Sequence, residues 1–296
     1  MSAVKSQAEK TKARLGPNAP LVPIFTPRDY SIFFLAGALC ATLTHGAMTP
    51  AEGVAGLMTG FGPTAVGYLA QGGAKFAGYE YWKKQFVELV GSHEEAVKYR
   101  TPIYLGAAST AEFFADILLT PLEATRIRLV SNPKYATGLV TGFTRLAREG
   151  GIREMYAGFL PILFKQIPYA IGQFTVNEFC HEIAYRNMTE EQQANLSATS
   201  KFALNLGSGL TAGVAAAILS QPADTLLSQI NRGHGPTGTM LTRLAVLARQ
   251  AGFRGLFAGL GPRIVMTAGL VSGQFLAYGA IKDALGAPPG IEIHKD

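Results

Sequence analysis

Charge is scarce in this sequence. Asp, Glu, Lys and Arg make up 16% of its 296 residues, against roughly a quarter in soluble domains. Phe202 to Leu219 and Ile264 to Ile281 carry no charge at all, and Ser31 to Thr49 carries only His45. Each stretch is close to the roughly 17–25 residues that a membrane-spanning helix needs, which excludes a water-soluble globule. The two cysteines, Cys40 and Cys180, lie in apolar helical stretches without metal-ligand spacing and read as small core residues, so no metal site is predicted. No apolar stretch near the N-terminus resembles a secretory signal. Lys5, Lys10, Lys12 and Arg14 against Glu9 make only a weak transit peptide, because arginine is scarce. Missing too are a nucleophile–base pair and a Gly-rich phosphate loop at usable spacing, which argues against an enzyme and a cofactor. No basic stretch is interleaved with base-stacking aromatics, which argues against nucleic acid as a partner.

What is present is apolar and helical. Three further spans, near Pro63–Tyr79, Tyr104–Thr120 and Pro161–Val176, are apolar with isolated charges. The prediction is an all-α membrane protein with six transmembrane helices embedded in lipid. A mean hydropathy of only +0.19 suits helices that line a polar cavity better than helices wholly bathed in lipid.

The spans belong to a threefold repeat. Pro121 is followed 40 residues later by Pro161, within Gly158-Phe159-Leu160-Pro161, and Pro222 is followed 40 residues later by Pro262, within Gly259-Leu260-Gly261-Pro262. Both landmarks are offset by 101 residues. In the first copy Pro50 is followed after only 13 residues by Pro63, within Gly60-Phe61-Gly62-Pro63, so 27 residues are missing just after Pro50. The domain reading is a tail (1–27), a shortened first repeat (28–100), a second repeat (101–198), a third repeat (199–286) and a C-terminal tail (287–296). Pro50, Pro121 and Pro222 should kink the first helix of each repeat by removing a backbone donor. Thirteen residues upstream of them stand Gly37, Ala108 and Gly209, which should let helices approach closely. Leu139, Phe143 and Leu146 recur 101 residues later as Met240, Leu244 and Leu247, predicting a surface helix in each of these two loops and none between Pro50 and Pro63.

Those loops are also the basic ones. Arg126, Arg128, Lys134, Arg145, Arg148 and Arg153 lie between Pro121 and Pro161, and Arg232, Arg243, Arg249 and Arg254 lie between Pro222 and Pro262. The loops within repeats therefore share the positive face of the membrane. Ala51 to Gly62 holds no basic residue.

The pattern Pro-x-acid-x-x-base, complete in Pro121-Leu-Glu123-Ala-Thr-Arg126-Ile-Arg128 and partial in Pro222-Ala-Asp224, resembles the mitochondrial carrier family over roughly Arg28 to Leu285. Within the family, Thr44-His45, Phe164-Lys165-Gln166-Ile167-Pro168-Tyr169, Gln221-Pro222 and Pro288-Pro289-Gly-Ile-Glu-Ile look like its phosphate-transporting members. The resemblance implies import of inorganic phosphate with a proton, or in exchange for hydroxide, by alternating access across the mitochondrial inner membrane, by a monomer. The residues leave open a carrier of another small solute, such as copper or a dicarboxylate, and a non-transporting splice form or an error in exon assignment.

Ionisable groups inside a membrane are functional candidates by default. His45 and Asp116 each lie five residues before a repeat proline, hence at one depth, and Glu112 is one turn from Asp116 on the same face. An imidazole beside two carboxylates is a candidate proton relay; the alternative is a static polar cluster. Lys75, Lys165 and Gln166, on the second helix of their repeats, are the candidate anion ligands, since lysine offers a point charge with three donors; Lys75 could instead snorkel to the interface. By repeat spacing the equivalents of Lys75 are Gln173 and Gln274, and the resemblance implies a lysine at Gln173 that this chain lacks. It further implies a matrix gate of Glu123, Arg126 and Asp224, and a cytoplasmic gate of Tyr79, Glu80, Lys83, Glu178 and Lys282. With the first repeat shortened, Asp224 should lose its partner, Glu52 with Arg126 should remain the one pair, and closure should leak, lock or fail.

Overall fold

The computed structural model of the chain describes residues 25–48, 54–132, 134–189, 192, 196–231, 238–288, 290, 291 and 293. Six long helices form a closed ring: α1 (Pro27–Met48), α2 (Val54–Val90), α4 (Arg100–Ser131), α6 (Phe159–Arg186), α7 (Ala198–Asn231) and α9 (Leu260–Ala284). Each packs against the next, and α9 returns to α1. A short α3 (His93–Lys98) joins α2 to α4, while α5 (Leu139–Met155) and α8 (Met240–Leu256) lie against the ends of α4 and α7. These two surface helices mark one end of the ring, the loop end; residues 25, 287, 288, 290, 291 and 293 mark the other, the tail end.

Local chemistry explains the boundaries. Thr26 precedes Pro27 at the first turn of α1, and Thr26 and Asp29 exchange backbone-to-side-chain hydrogen bonds at 2.7 and 3.3 Å, closing the orphan amides of that turn. Helices α4 and α7 run through Pro121 and Pro222. Pro121 cannot bond the carbonyl of Ile117, and the Tyr156 hydroxyl donates to that oxygen at 3.0 Å. At the corresponding place in the third repeat, Gln221 donates to the Ala258 carbonyl at 2.7 Å and Thr225 to that of Leu256 at 2.9 Å. Each proline turn is thus tied to the end of its surface helix.

Both predicted surface helices form, with Leu146 and Leu247 buried at matching places. Gly151 and Gly252, 101 residues apart, break them with φ of 60° and ψ near 180°, a region that residues other than glycine scarcely occupy. On α5, Arg145 bonds Glu149 at 2.6 Å and holds that carboxyl below its usual range.

The shortened repeat departs from its siblings in its second helix. Helices α6 and α9 begin two residues before Pro161 and Pro262, but α2 begins at Val54, nine before Pro63. The sequence reading made most of that stretch a loop; the correction is that helix occupies it from Val54, as its lack of charge and of helix breakers other than glycine permits. Pro50 and Glu52 lie outside the described residues.

Close approach within repeats rests on missing side chains. A Cβ on Gly37 would lie 2.5 Å from the Gly72 carbonyl oxygen, and one on Gly209 would lie 2.6 Å from Ser272 Cα. Backbone cannot retreat from either clash, so Gly37→Ala and Gly209→Ala should each destabilise by about 1–3 kcal/mol. Thermal unfolding in detergent would measure it; an unchanged midpoint would show that these helices slide apart freely.

Candidate functional site

Inside the ring, the second helices of the repeats place equivalent residues around a common axis. Phe76, Phe174 and Phe275 pack edge to face with centroids 5.2, 6.0 and 6.2 Å apart. Residues Lys75, Gln173 and Gln274 immediately precede them and are buried. This aromatic layer divides the polar interior into a deep cluster towards the loop end and a second network towards the tail end.

Lys75 anchors the deep cluster. Its Nζ lies 2.9 Å from Glu112 Oε2, with the Glu112 side chain fully buried, and 5.0 Å from the ring centroid of Tyr169. The snorkelling alternative therefore fails: the ammonium is held inside by a carboxylate and by aromatic faces. Gln71, one turn from Lys75 on α2, donates through Nε2 to Glu112 at 2.9 Å and to Asp116 at 3.1 Å. One amide thus joins the two carboxylates. Gln71 was overlooked in the sequence because it carries no charge, although its i, i+4 spacing to Lys75 puts both on one face.

His45 stacks on Tyr68 at 3.6 Å, and its Nδ1 lies 3.0 Å from the Ala41 carbonyl and 3.4 Å from Gln274 Nε2. The shorter contact assigns the ring proton to Nδ1. Gln274 accepts from Gln173 at 2.8 Å, so the two amides pair across the ring; with Nδ1 protonated, Gln274 Nε2 is a neighbour of the imidazole and not its hydrogen-bond partner. Tyr68 and Gln71 are one turn apart on α2, so His45 on α1 and Asp116 on α4 flank the same stretch of that helix. Tyr68 and the Ala41 carbonyl hold the imidazole, whereas Glu112 and Asp116 meet through Gln71.

At the loop end, Asp224 does not lose its partners, contrary to the reading from the deletion. It pairs with Arg263 of α9, and with Lys165 of α6 at 3.3 Å. Arg263 also donates to Ser220 at 2.8 Å. Two cations from neighbouring helices reach the acid that repeat spacing would pair with the first repeat; the sequence reading named Pro262 but missed the arginine beside it. Arg126 bonds Glu123 on its own helix at 3.3 Å. Lys165 is half-exposed, and Gln166 follows it on α6.

At the tail end, Lys83 is almost wholly buried and bridges α2 and α6, with Glu178 at 2.6 Å and Glu80 at 3.4 Å. Tyr79 stacks on Phe174 with centroids 4.3 Å apart. The Lys282 ammonium lies over Phe33 and Tyr278 at 5.0 and 5.1 Å. These groups surround a cavity of about 150 Å³ with His181 and Asn205 in its wall. The structure thus gathers the five residues of the expected tail-end gate about one space. It gathers Lys75, Glu112 and Asp116 in another, and joins Lys165 to Asp224.

Comparison with known proteins follows this geometry. The sequence profile described as "Mitochondrial carrier protein" matches residues 98–188 and 198–288. A Dictyostelium discoideum protein named "Mitochondrial substrate carrier family protein N" is 39% identical, covering 89% of this chain and 97% of its own. The "Probable mitochondrial phosphate carrier protein" of Schizosaccharomyces pombe is 33% identical over 92% of this chain and 98% of its own. The "Phosphate carrier protein, mitochondrial" of Caenorhabditis elegans is 37% identical over 80% of this chain and 68% of its own.

Removing the Lys75 ammonium alone should leave Glu112 as an unmatched buried charge. Lys75→Met is expected to destabilise by about 3–5 kcal/mol, and Lys75→Met with Glu112→Gln to recover most of that loss. Unfolding midpoints of the two variants in detergent would decide, and equal midpoints would mean that the pair is not coupled.

Proposed function

Because this chain belongs to the mitochondrial carrier family, and so is a multi-pass protein of the mitochondrial inner membrane, we propose that it moves inorganic phosphate across that membrane together with a proton. The observation that carries this reading is the Lys75–Glu112–Asp116 cluster, bridged by Gln71 and buried in a closed ring. Relatives whose names state phosphate as cargo support the substrate.

The geometry supplies a reason for coupling. Phosphate competes with Glu112 for the Lys75 ammonium, since one point charge cannot serve two anions equally. A proton on Glu112 removes the competitor, so anion and proton bind together more readily than either alone. The reverse holds on release: loss of the proton returns Lys75 to Glu112 and expels the anion. His45 lies across α2 from Asp116 and, with its ring proton on Nδ1, keeps Nε2 as a proton acceptor. The Gln173–Gln274 pair contributes donors without charge.

The same competition operates at Lys165 in this reading. Its ammonium is held by Asp224, and an arriving phosphate draws it away with Gln166 beside it. Asp224 keeps Arg263, so the loop end loosens without stranding a charge. We assign the loop end, with its arginine-rich surface helices, to the matrix, and the Glu80–Lys83–Glu178 network, with Tyr79 and Lys282, to the cytoplasmic gate. Glu123 and Arg126 belong to the matrix gate of this scheme. Alternating access then amounts to breaking one end's ion pairs while the other end's form. Among the described residues the shortened first repeat contributes no surface helix to the matrix side, and closure there is the step we expect to be impaired.

Uptake of labelled phosphate into liposomes under a pH gradient tests this. The comparison is between this chain and one in which the missing stretch is restored from the Schizosaccharomyces pombe relative. Faster, gradient-dependent uptake by the restored chain is expected. Equal uptake by both would overturn the role given to the first-repeat closure, and no uptake by either would overturn the phosphate reading.

A further inference from the structure

The segment after α9 has no part in the cycle just described, yet two of its residues, Ile291 and Ile293, are buried at the tail end. Gly286, with φ of 65°, ends α9, and the Ala287 amide bonds the Lys282 carbonyl at 3.0 Å, turning the chain back over the ring. The Ile291 amide then donates to Glu80 Oε2 at 3.0 Å. A Cβ on Gly290 would lie 2.5 Å from Glu80 Oε1, so a larger residue there would push the carboxylate aside. Ile291 and Ile293 are each 2% exposed. They pack in one cluster with Phe33 of α1, Val87 of α2, and Ile103 and Tyr104 of α4. Gly290 and Ile291 also wall the cavity around Lys83 and Glu178.

These contacts join all three repeats at one place. The segment is covalently part of the third, bonds Glu80 in the first and packs on Tyr104 in the second. Opening the tail end requires Lys83 to part from Glu178, which separates α2 from α6. The segment leaves α9, bonds Glu80 of α2 and packs on Tyr104 of α4, so widening the ring between these helices breaks its hydrogen bond and exposes two isoleucines. We propose that Gly290, Ile291 and Ile293 form a latch that holds the tail end of the ring shut, and that it must lift off Glu80 before that end can open. The latch acts whatever the cargo, so it does not depend on phosphate being the substrate.

The test reads access to the cavity rather than transport. In a full-length chain carrying Cys40→Ala and Cys180→Ala, Asn205→Cys places one thiol in the cavity wall. Labelling by a membrane-impermeant maleimide is followed in liposomes with the tail end outward. Gly290→Val drives Glu80 from the Ile291 amide, and Ile293→Ala removes an apolar anchor without a clash. Loss of a hydrogen bond to a charged group should raise the labelling rate by about tenfold for Gly290→Val, with a smaller rise for Ile293→Ala. Unfolding temperatures in detergent verify that each variant is folded; if Gly290→Val is not, Ile293→Ala decides alone. Unchanged labelling in a folded variant would overturn the latch, showing that the Lys83 network closes the end by itself. A variant that labels faster but shows no phosphate uptake would sustain the latch and count only against the cargo.

Discussion

A charge surrounded by hydrocarbon has to be matched, because desolvating it costs several kcal/mol that only a close counter-charge and hydrogen bonds offset. In this ring that requirement dictates which helices touch. Lys75 is held by Glu112, Lys83 by Glu178 and Glu80, and Asp224 by Arg263 and Lys165. Several of these pairs cross from one repeat to another. Since apolar surfaces in lipid gain little by meeting each other, such pairs set the registry between repeats. Small residues such as Gly37 and Gly209 set the registry within them.

The threefold symmetry is kept by the packing and broken by the polar groups. Phe76, Phe174 and Phe275 are one residue used three times, and their rings meet at the axis. The residue before each is lysine in the first repeat and glutamine in the other two. A symmetric trio of lysines there would repel, whereas one lysine with two glutamines lets a neutral amide bridge face an ion pair. In the proposed cycle this asymmetry keeps the deep cluster short of cations, and it makes the response of Lys75 to a proton on Glu112 decisive for binding.

The short spacing between Pro50 and Pro63 does not leave Asp224 stranded. The acid turns to cations on α6 and α9, and Arg126 bonds Glu123 of its own helix. A buried charge accepts whatever partner lies within reach, and lysine and arginine have long, flexible side chains. At the tail end nothing is deleted, and the closing segment after α9 adds backbone hydrogen bonding and apolar burial to the ion pairs there. The two ends of the ring are therefore held by different means.

The sequence by itself determined the solvent, the helix count, the repeat and the chemistry of the candidate residues. Charge-free runs of membrane length, prolines 101 residues apart and the recurring apolar face of the surface helices are local patterns, and local patterns survive in one dimension. The place of His45, Glu112 and Asp116 at related depths was legible for the same reason, since helical rise converts residue number into depth. Partners across the ring were not legible. That Gln71 joins the two carboxylates, that Arg263 and Lys165 both serve Asp224, and that the Ile291 amide reaches Glu80 depend on which faces of separate helices meet. Only the tertiary structure decided these contacts, because azimuth around a shared axis is fixed by packing among all six helices, and no spacing within one segment encodes it.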